Sequence, residues 1–355
     1  MTYPTLALVA FIVLFTGYLV LAGIDYGVGL ALPRTGSDAS GRLAVLGAVG
    51  PLLLGNEAWL LVSIGALAGT LPGLRGALVD GAYPYALIAF AGALALNAGI
   101  QLRGRHPGER VRRAFDLLIC AAGAAAAFGW GCFLAVTAAG VSLGSDGHVR
   151  GVAAPNLFTL LGGVTMVALL ATHGSAFIAA RLTGDPARRA AALTTIGATL
   201  SAALLGVTAL TGFVGGTFDG DALRHPVLAA LAVVIGVGAL LLTRSLTGSG
   251  RARLAPWATT TAVIAAAGAV FAGKYPALLT STVPGVPAPS VAQLATDETA
   301  LAAVIWTSGP VLLIVIAAQV YMWLVLWAPA RTAVAPTPAP GATAGSTALD
   351  TPAFS

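Results

Sequence analysis

Charged side chains are scarce in this 355-residue sequence: Asp, Glu, Lys and Arg make up 9% of it, against 57% hydrophobic residues. A soluble domain carries about 25% charged residues, so water is not the main solvent of this chain. Cysteine is nearly absent. Cys120 and Cys132 share one apolar run, and the helix between them would turn them about 120° apart, onto different faces. With no CxxC, CxxCH or Cys/His metal spacing anywhere, both read as structural thiols. There is no Walker loop, GxSxG, HExxH or strand-flanked GxGxxG, so the motifs of nucleotide and nucleophile chemistry are missing. Nothing basic precedes Arg34, so the opening apolar run lacks the cationic start of a cleaved signal peptide and is expected to stay as a helix.

Long apolar runs are what the sequence does have. Bounded by charge, Gly and Pro, they give nine candidate membrane spans, at about 5–32, 45–71, 79–102, 115–141, 156–180, 190–214, 226–246, 255–277 and 300–328. The basic residues alternate in step with them. After odd-numbered spans come Arg34 and Arg42; Arg103, Arg105, Arg110, Arg112 and Arg113; Arg181, Arg188 and Arg189; Arg244, Arg251 and Arg253; and Arg331. After even-numbered spans come only Arg75, Arg150, Arg224 and Lys274, so fourteen of the eighteen basic residues fall on one side. Cytoplasmic loops hold the excess, which places the N-terminus outside and the C-terminus in the cytoplasm. The five arginines of 103–113 lack interleaved aromatics and read as a topology anchor facing anionic lipid, not as a nucleic-acid patch. The expected architecture is all-α: a polytopic membrane domain over 1–331, built as two four-helix units plus a ninth helix, then a disordered cytoplasmic tail over 332–355. The segment 278–299, with Pro284, Pro287 and Pro289, reads either as an ordered outside loop or as a solvated linker.

Charge within a span is costly and marks function by default. Asp25 lies in Gly23-Ile24-Asp25-Tyr26-Gly27-Val28-Gly29, and the Gly23/Gly27 spacing would let a neighbouring helix approach closely. It is a proton-relay or ion-site carboxylate, or an acid hydrogen-bonded to a neighbouring helix. Glu57, in Gly55-Asn56-Glu57-Ala58-Trp59, is expected about thirteen residues into its span, near the bilayer middle, where it must be neutral, paired or wet. His173 could ligate haem or metal. As the one histidine in a span it lacks a second ligand and is read as a packed or proton-handling residue. Asp116 would complement the N-terminus of its helix. From these residues alone, the chain is a transporter or a subunit of a larger membrane complex.

The motifs carry a resemblance. Gly17-Tyr18 through Asp25-Tyr26-Gly27-Val28-Gly29 resembles the first helix of subunit II of cytochrome bd-type quinol oxidases, and Gly50-Pro51 with Gly55-Asn56-Glu57-Ala58-Trp59-Leu60 resembles that family's second-helix signature. Asn156-Leu157-Phe158 through His173-Gly174 resembles its fifth helix, and Tyr275-Pro276 the end of its eighth. The resemblance implies a heterodimer in the bacterial cytoplasmic membrane. The partner, subunit I, would carry haems b and d and the quinol site and reduce oxygen to water. Small accessory subunits and a bound quinone are compatible with it. This chain would ligate no haem or metal, scaffold its partner and help supply protons or oxygen. Asp25, Asn56 and Glu57 then form the candidate proton pathway, and Gly27, Gly29, Gly55 and Trp59 are structural motif positions. Two departures stand out: Ala22 and Leu54 occupy places where family members carry acids. The competing reading is a stand-alone secondary transporter or channel using Asp25 and Glu57 as coupling carboxylates, which the lack of paired broken helices disfavours.

Overall fold

The structure, a computed structural model, describes residues 2–105, 108–144, 146, 148–218, 222–283 and 285–327. The tail expected over 332–355 lies outside these. Among the described residues nine helices are long and apolar enough to cross a membrane, as the apolar runs predict. In chain order the helices are α1 (Tyr3–Thr35), α2 (Ala39–Val49), α3 (Leu53–Thr70), α4 (Pro72–Gly81), α5 (Tyr83–Arg103), α6 (Glu109–Ala139), α7 (Leu157–Arg181), α8 (Gly184–Val214), α9 (Pro226–Gly248), α10 (Ala255–Lys274), α11 (Val291–Leu294) and α12 (Glu298–Trp327). Prolines open α1, α4, α5, α9 and α10, where a missing N–H costs nothing. Asp38 caps α2, its carboxylate accepting from the Gly41 N–H at 2.6 Å, and Asn156 caps α7 by accepting from the Thr159 N–H at 2.9 Å. The Gly41 N–H, helped by the Ser40 hydroxyl, holds the Asp38 carboxyl below the usual carboxylate range.

The described residues divide into two units, one up to residue 306 and one from residue 307. In the first, α1 is central and packs on α3, α6 and α7. Sequence neighbours α5/α6, α7/α8 and α9/α10 pair, giving one group of α1, α3, α5 and α6 and a second of α7–α10. The groups meet where α7 packs against both α1 and α6. A Cβ added at Gly27 would sit 1.9 Å from the Leu170 carbonyl oxygen, and one added at Gly174 would sit 2.2 Å from the Gly27 carbonyl carbon. Only glycine allows that approach. In the second unit α12 continues from residue 307, with Val311, Leu313, Ile314, Tyr321 and Leu324 exposed.

Four expectations are corrected. The second apolar run does not make one helix: α2 ends at Gly50, and Pro51, which cannot donate, falls in the break before α3 starts at Leu53. Glu57 is therefore in the second turn of α3, not thirteen residues into a span. Residues 72–81 form the separate helix α4, so the third span starts at Tyr83. Asp116 does not open its helix, because α6 already begins at Glu109. Finally, Arg103 is not a lipid-facing anchor: it is buried at the end of α5 and bonded to Asp116.

The segment 278–299 is ordered over its described residues. Val141 bridges to Ser281, the Thr296 N–H donates to the Thr70 carbonyl at 3.1 Å, and Leu294 of α11 lies against Gly73 of α4. Lys274, fully buried, donates to the Ala138 carbonyl at 3.0 Å and to the Thr280 hydroxyl at 2.5 Å. The buried amine thus meets a carbonyl in the last turn of α6, which lacks an intrahelical donor.

Candidate functional site

The intramembrane carboxylates sit on neighbouring helices but in separate hydrogen-bonded groups. Asp25, on α1, has no exposed surface. Its Oδ2 accepts from Asn56 Nδ2 of α3 at 2.9 Å, and the same amide donates to the Leu21 carbonyl at 3.1 Å. The second bond fixes the amide's orientation, since its oxygen facing a carbonyl would repel. Asp25 Oδ1 is buried with no hydrogen-bond partner. Asp25 is thus hydrogen-bonded to the adjacent helix α3. A buried carboxylate with one free oxygen also leaves a place for a proton or a water.

Glu57, half-buried one position further along α3, faces a different set. Its Oε1 accepts from the Tyr26 hydroxyl at 3.0 Å and from Asn97 Nδ2 of α5 at 3.2 Å. Asn97 Nδ2 also donates to the Ala93 carbonyl at 3.1 Å, which again fixes the amide. Behind Tyr26 its hydroxyl bonds that of Tyr18, and Tyr18 accepts from the Trp130 indole N–H of α6 at 2.9 Å. Phe15, Phe90 and Phe133 pack edge-on around Trp130 at centroid distances of 5.2–5.6 Å.

The sequence singled out Asp25, Asn56 and Glu57, quoted Tyr18 in a motif without giving it a role, and missed Asn97 and Trp130. Tyr26 stood in the quoted motif without a role. Asn97 carried a usable signal, because a lone amide in an apolar span is costly unless bonded. Gly27, Gly29 and Trp59 have packing roles. Trp59 lies against Gly17, where an added Cβ would be 2.6 Å from its ring, Gly29 gives α1 room beside Leu96 and Ile119, and Gly55 falls in the first turn of α3. Leu54, in the first turn of α3, is 77% exposed.

Both ring nitrogens of buried His173 are engaged, Nδ1 with the Thr259 hydroxyl at 2.7 Å and Nε2 with the Val20 carbonyl at 3.1 Å. Among the described residues no three His, Cys, Asp or Glu side chains gather as a metal site. An apolar cavity of about 100 Å³ lies within α6–α10, between residues such as Leu134, Phe158, Met166 and Val270. Its two threonines, Thr165 and Thr208, bond each other at 2.7 Å, so it offers volume without reactive groups.

Comparison with known proteins decides the family. The family model for cytochrome bd terminal oxidase subunit II matches residues 3–326. The chain belongs to that family. Cytochrome bd ubiquinol oxidase subunit 2 of Bacillus subtilis (strain 168) is 27% identical over 180 residues, covering 50% of this chain and 53% of the relative. Cytochrome bd-I ubiquinol oxidase subunit 2 of Escherichia coli (strain K12) is 26% identical over 227 residues, 60% of each chain. The matches thus span a little over half the length of these curated relatives. The solved bd oxidase of Geobacillus thermodenitrificans superposes with a TM-score of 0.70 at 17% identity, over 92% of this chain and 100% of that one. At that identity the likeness is one of fold.

Proposed function

We propose that this chain is the haem-free membrane subunit of a bd-type quinol oxidase of the bacterial cytoplasmic membrane. In this reading it pairs with a subunit I that carries haems b and d, oxidises quinol and reduces oxygen to water, and 1–331 is one nine-helix membrane domain. Family membership and the names of the curated relatives support the oxidase reading over a stand-alone transporter. The engaged nitrogens of His173 support placing the haems on the partner. One observation carries the proton-supply role: Glu57 is a half-buried carboxylate with one oxygen held by two donors, on a helix whose neighbouring Asp25–Asn56 pair adds a second acid within one residue's register.

Glu57→Gln keeps size and most bonding capacity but cannot carry a proton. Oxygen consumption of the purified complex with excess quinol should fall at least tenfold, the low end of ~10²–10⁴ effects being eroded by parallel water routes. Haem spectra should be unchanged. A glutamine variant turning over at the wild-type rate would sink the proton-supply role.

The fourteen-to-four division of basic residues supports an N-terminus outside and a C-terminus in the cytoplasm. A reporter fused after Arg113 should then be cytoplasmic and one fused at Asp146 outside. Either result reversed would invert the topology.

A further inference from the structure

The aromatic chain behind Glu57 has a direction, set by its far end. An indole N–H donates and does not accept, so Tyr18 receives the Trp130 hydrogen and must spend its own on Tyr26. Tyr26 in turn gives its hydrogen to Glu57 Oε1, where Asn97 also donates. With Glu57 ionised, every hydroxyl in the series gives one hydrogen bond and receives one. Reversal fails. Were Oε1 protonated and donating, Tyr26 would turn towards Tyr18, which would then receive two hydrogens with no acceptor for its own. Tyr18 has no exposed surface, and the rings of Phe15, Tyr26 and Trp130 pack against it.

We propose that Tyr26, polarised by Tyr18 and Trp130, is a positioning residue that holds Glu57 Oε1 as a hydrogen-bond acceptor, so that protons enter and leave Glu57 through its other oxygen. The series is a closed cap and not a proton wire, because it ends in an indole that keeps its hydrogen. Proton traffic therefore passes on the half-exposed side of Glu57, and the aromatic side stays shut. This rests on the reading of Glu57 as a proton-handling group.

The test is a double-mutant cycle in the intact purified complex. Tyr26→Phe removes a charge-assisted bond and should lower turnover about tenfold with the quinol KM unchanged. In a Glu57→Gln background the same substitution should have no further effect. An infrared arm follows the carboxylate stretch that Glu57→Gln deletes: it should shift in frequency in Tyr26→Phe and, by less, in Tyr18→Phe, which serves alone should Tyr26→Phe not assemble. Equal slowing by Tyr26→Phe in both backgrounds would make the tyrosine a packing residue and overturn the proposal, as would an unmoved carboxylate band. Should Glu57→Gln turn over like wild type, the proton-supply role fails by itself. The infrared band then decides positioning on its own, a shift upholding it and no shift ending it.

Discussion

Gly27→Val should prevent the folded chain from accumulating. The ideal Cβ at this position falls 1.9 Å from the Leu170 carbonyl oxygen and 2.7 Å from the Gly174 nitrogen, both backbone atoms that no rotamer change can move aside. Valine would force α1 and α7 apart along their whole crossing, and α1 also carries the packing of α3 and α6. Overpacking that side chains can relieve costs about 1–3 kcal/mol. Here the obstacle is backbone, so the loss should exceed that range. Gly174→Ala, pressing the same point from α7, should behave alike. Gly206→Ala, with nothing within 4 Å of its added Cβ, should leave stability near wild type or slightly raised. Yield and thermal midpoint of the complex in detergent measure all three. A Gly27→Val chain that assembles and melts with the wild type would show that the close crossing does not hold the two helix groups together.

The nine long apolar helices among the described residues were legible because a helix that faces lipid leaves a long apolar run, and little else in a sequence mimics one. The break within 45–71 was not, for the same reason: Gly50-Pro51-Leu52 carries no charge, and hydropathy passes over it unchanged. Pro51 was the available signal, and giving it weight would have set Glu57 near the start of its helix. At the site, Asp25 was found because an acid in an apolar run stands out and Asn56 because it sits in the motif that carries the resemblance, and the structure joins them. Glu57 was found too, but its partners come from α1 and α5. No local pattern links Tyr26, Asn97 and Trp130 across more than a hundred residues of chain. The direction of the chain of hydroxyls is a property of its end group and exists only once the helices are packed. Arg103 was misread by taking every arginine of 103–113 as an anchor facing lipid, an assumption that holds only where the guanidinium finds water or headgroups.

Asp116→Ala should destabilise the protein by about 3–5 kcal/mol, the usual cost of stripping one member from a buried ion pair. Asp116 and Arg103 each expose 7% of their side chains. Two parallel bonds join them, Nε to Oδ1 at 2.5 Å and Nη2 to Oδ2 at 3.3 Å. Arg42 adds a third contact to Oδ2 at 3.4 Å while its Nε donates to the Gly36 carbonyl, so the cluster ties the α1–α2 turn to α5 and α6. Alanine leaves the Arg103 guanidinium buried, charged and unpaired at the end of its helix. Removing both members tests whether the charges or the packing matter: Arg103→Met with Asp116→Leu fills similar volume, strands no charge and should recover most of the lost stability. By contrast, Asp185, held by Arg188 and Arg189 at 3.0 and 2.7 Å with 41% of its side chain exposed, should cost under ~1 kcal/mol when replaced by alanine. Thermal midpoints of the three variants in one detergent separate the cases. An Asp116→Ala midpoint no lower than that of Asp185→Ala would mean that Arg103 reaches water in the assembled membrane protein, and the cluster would then be a surface contact and not a buried tie.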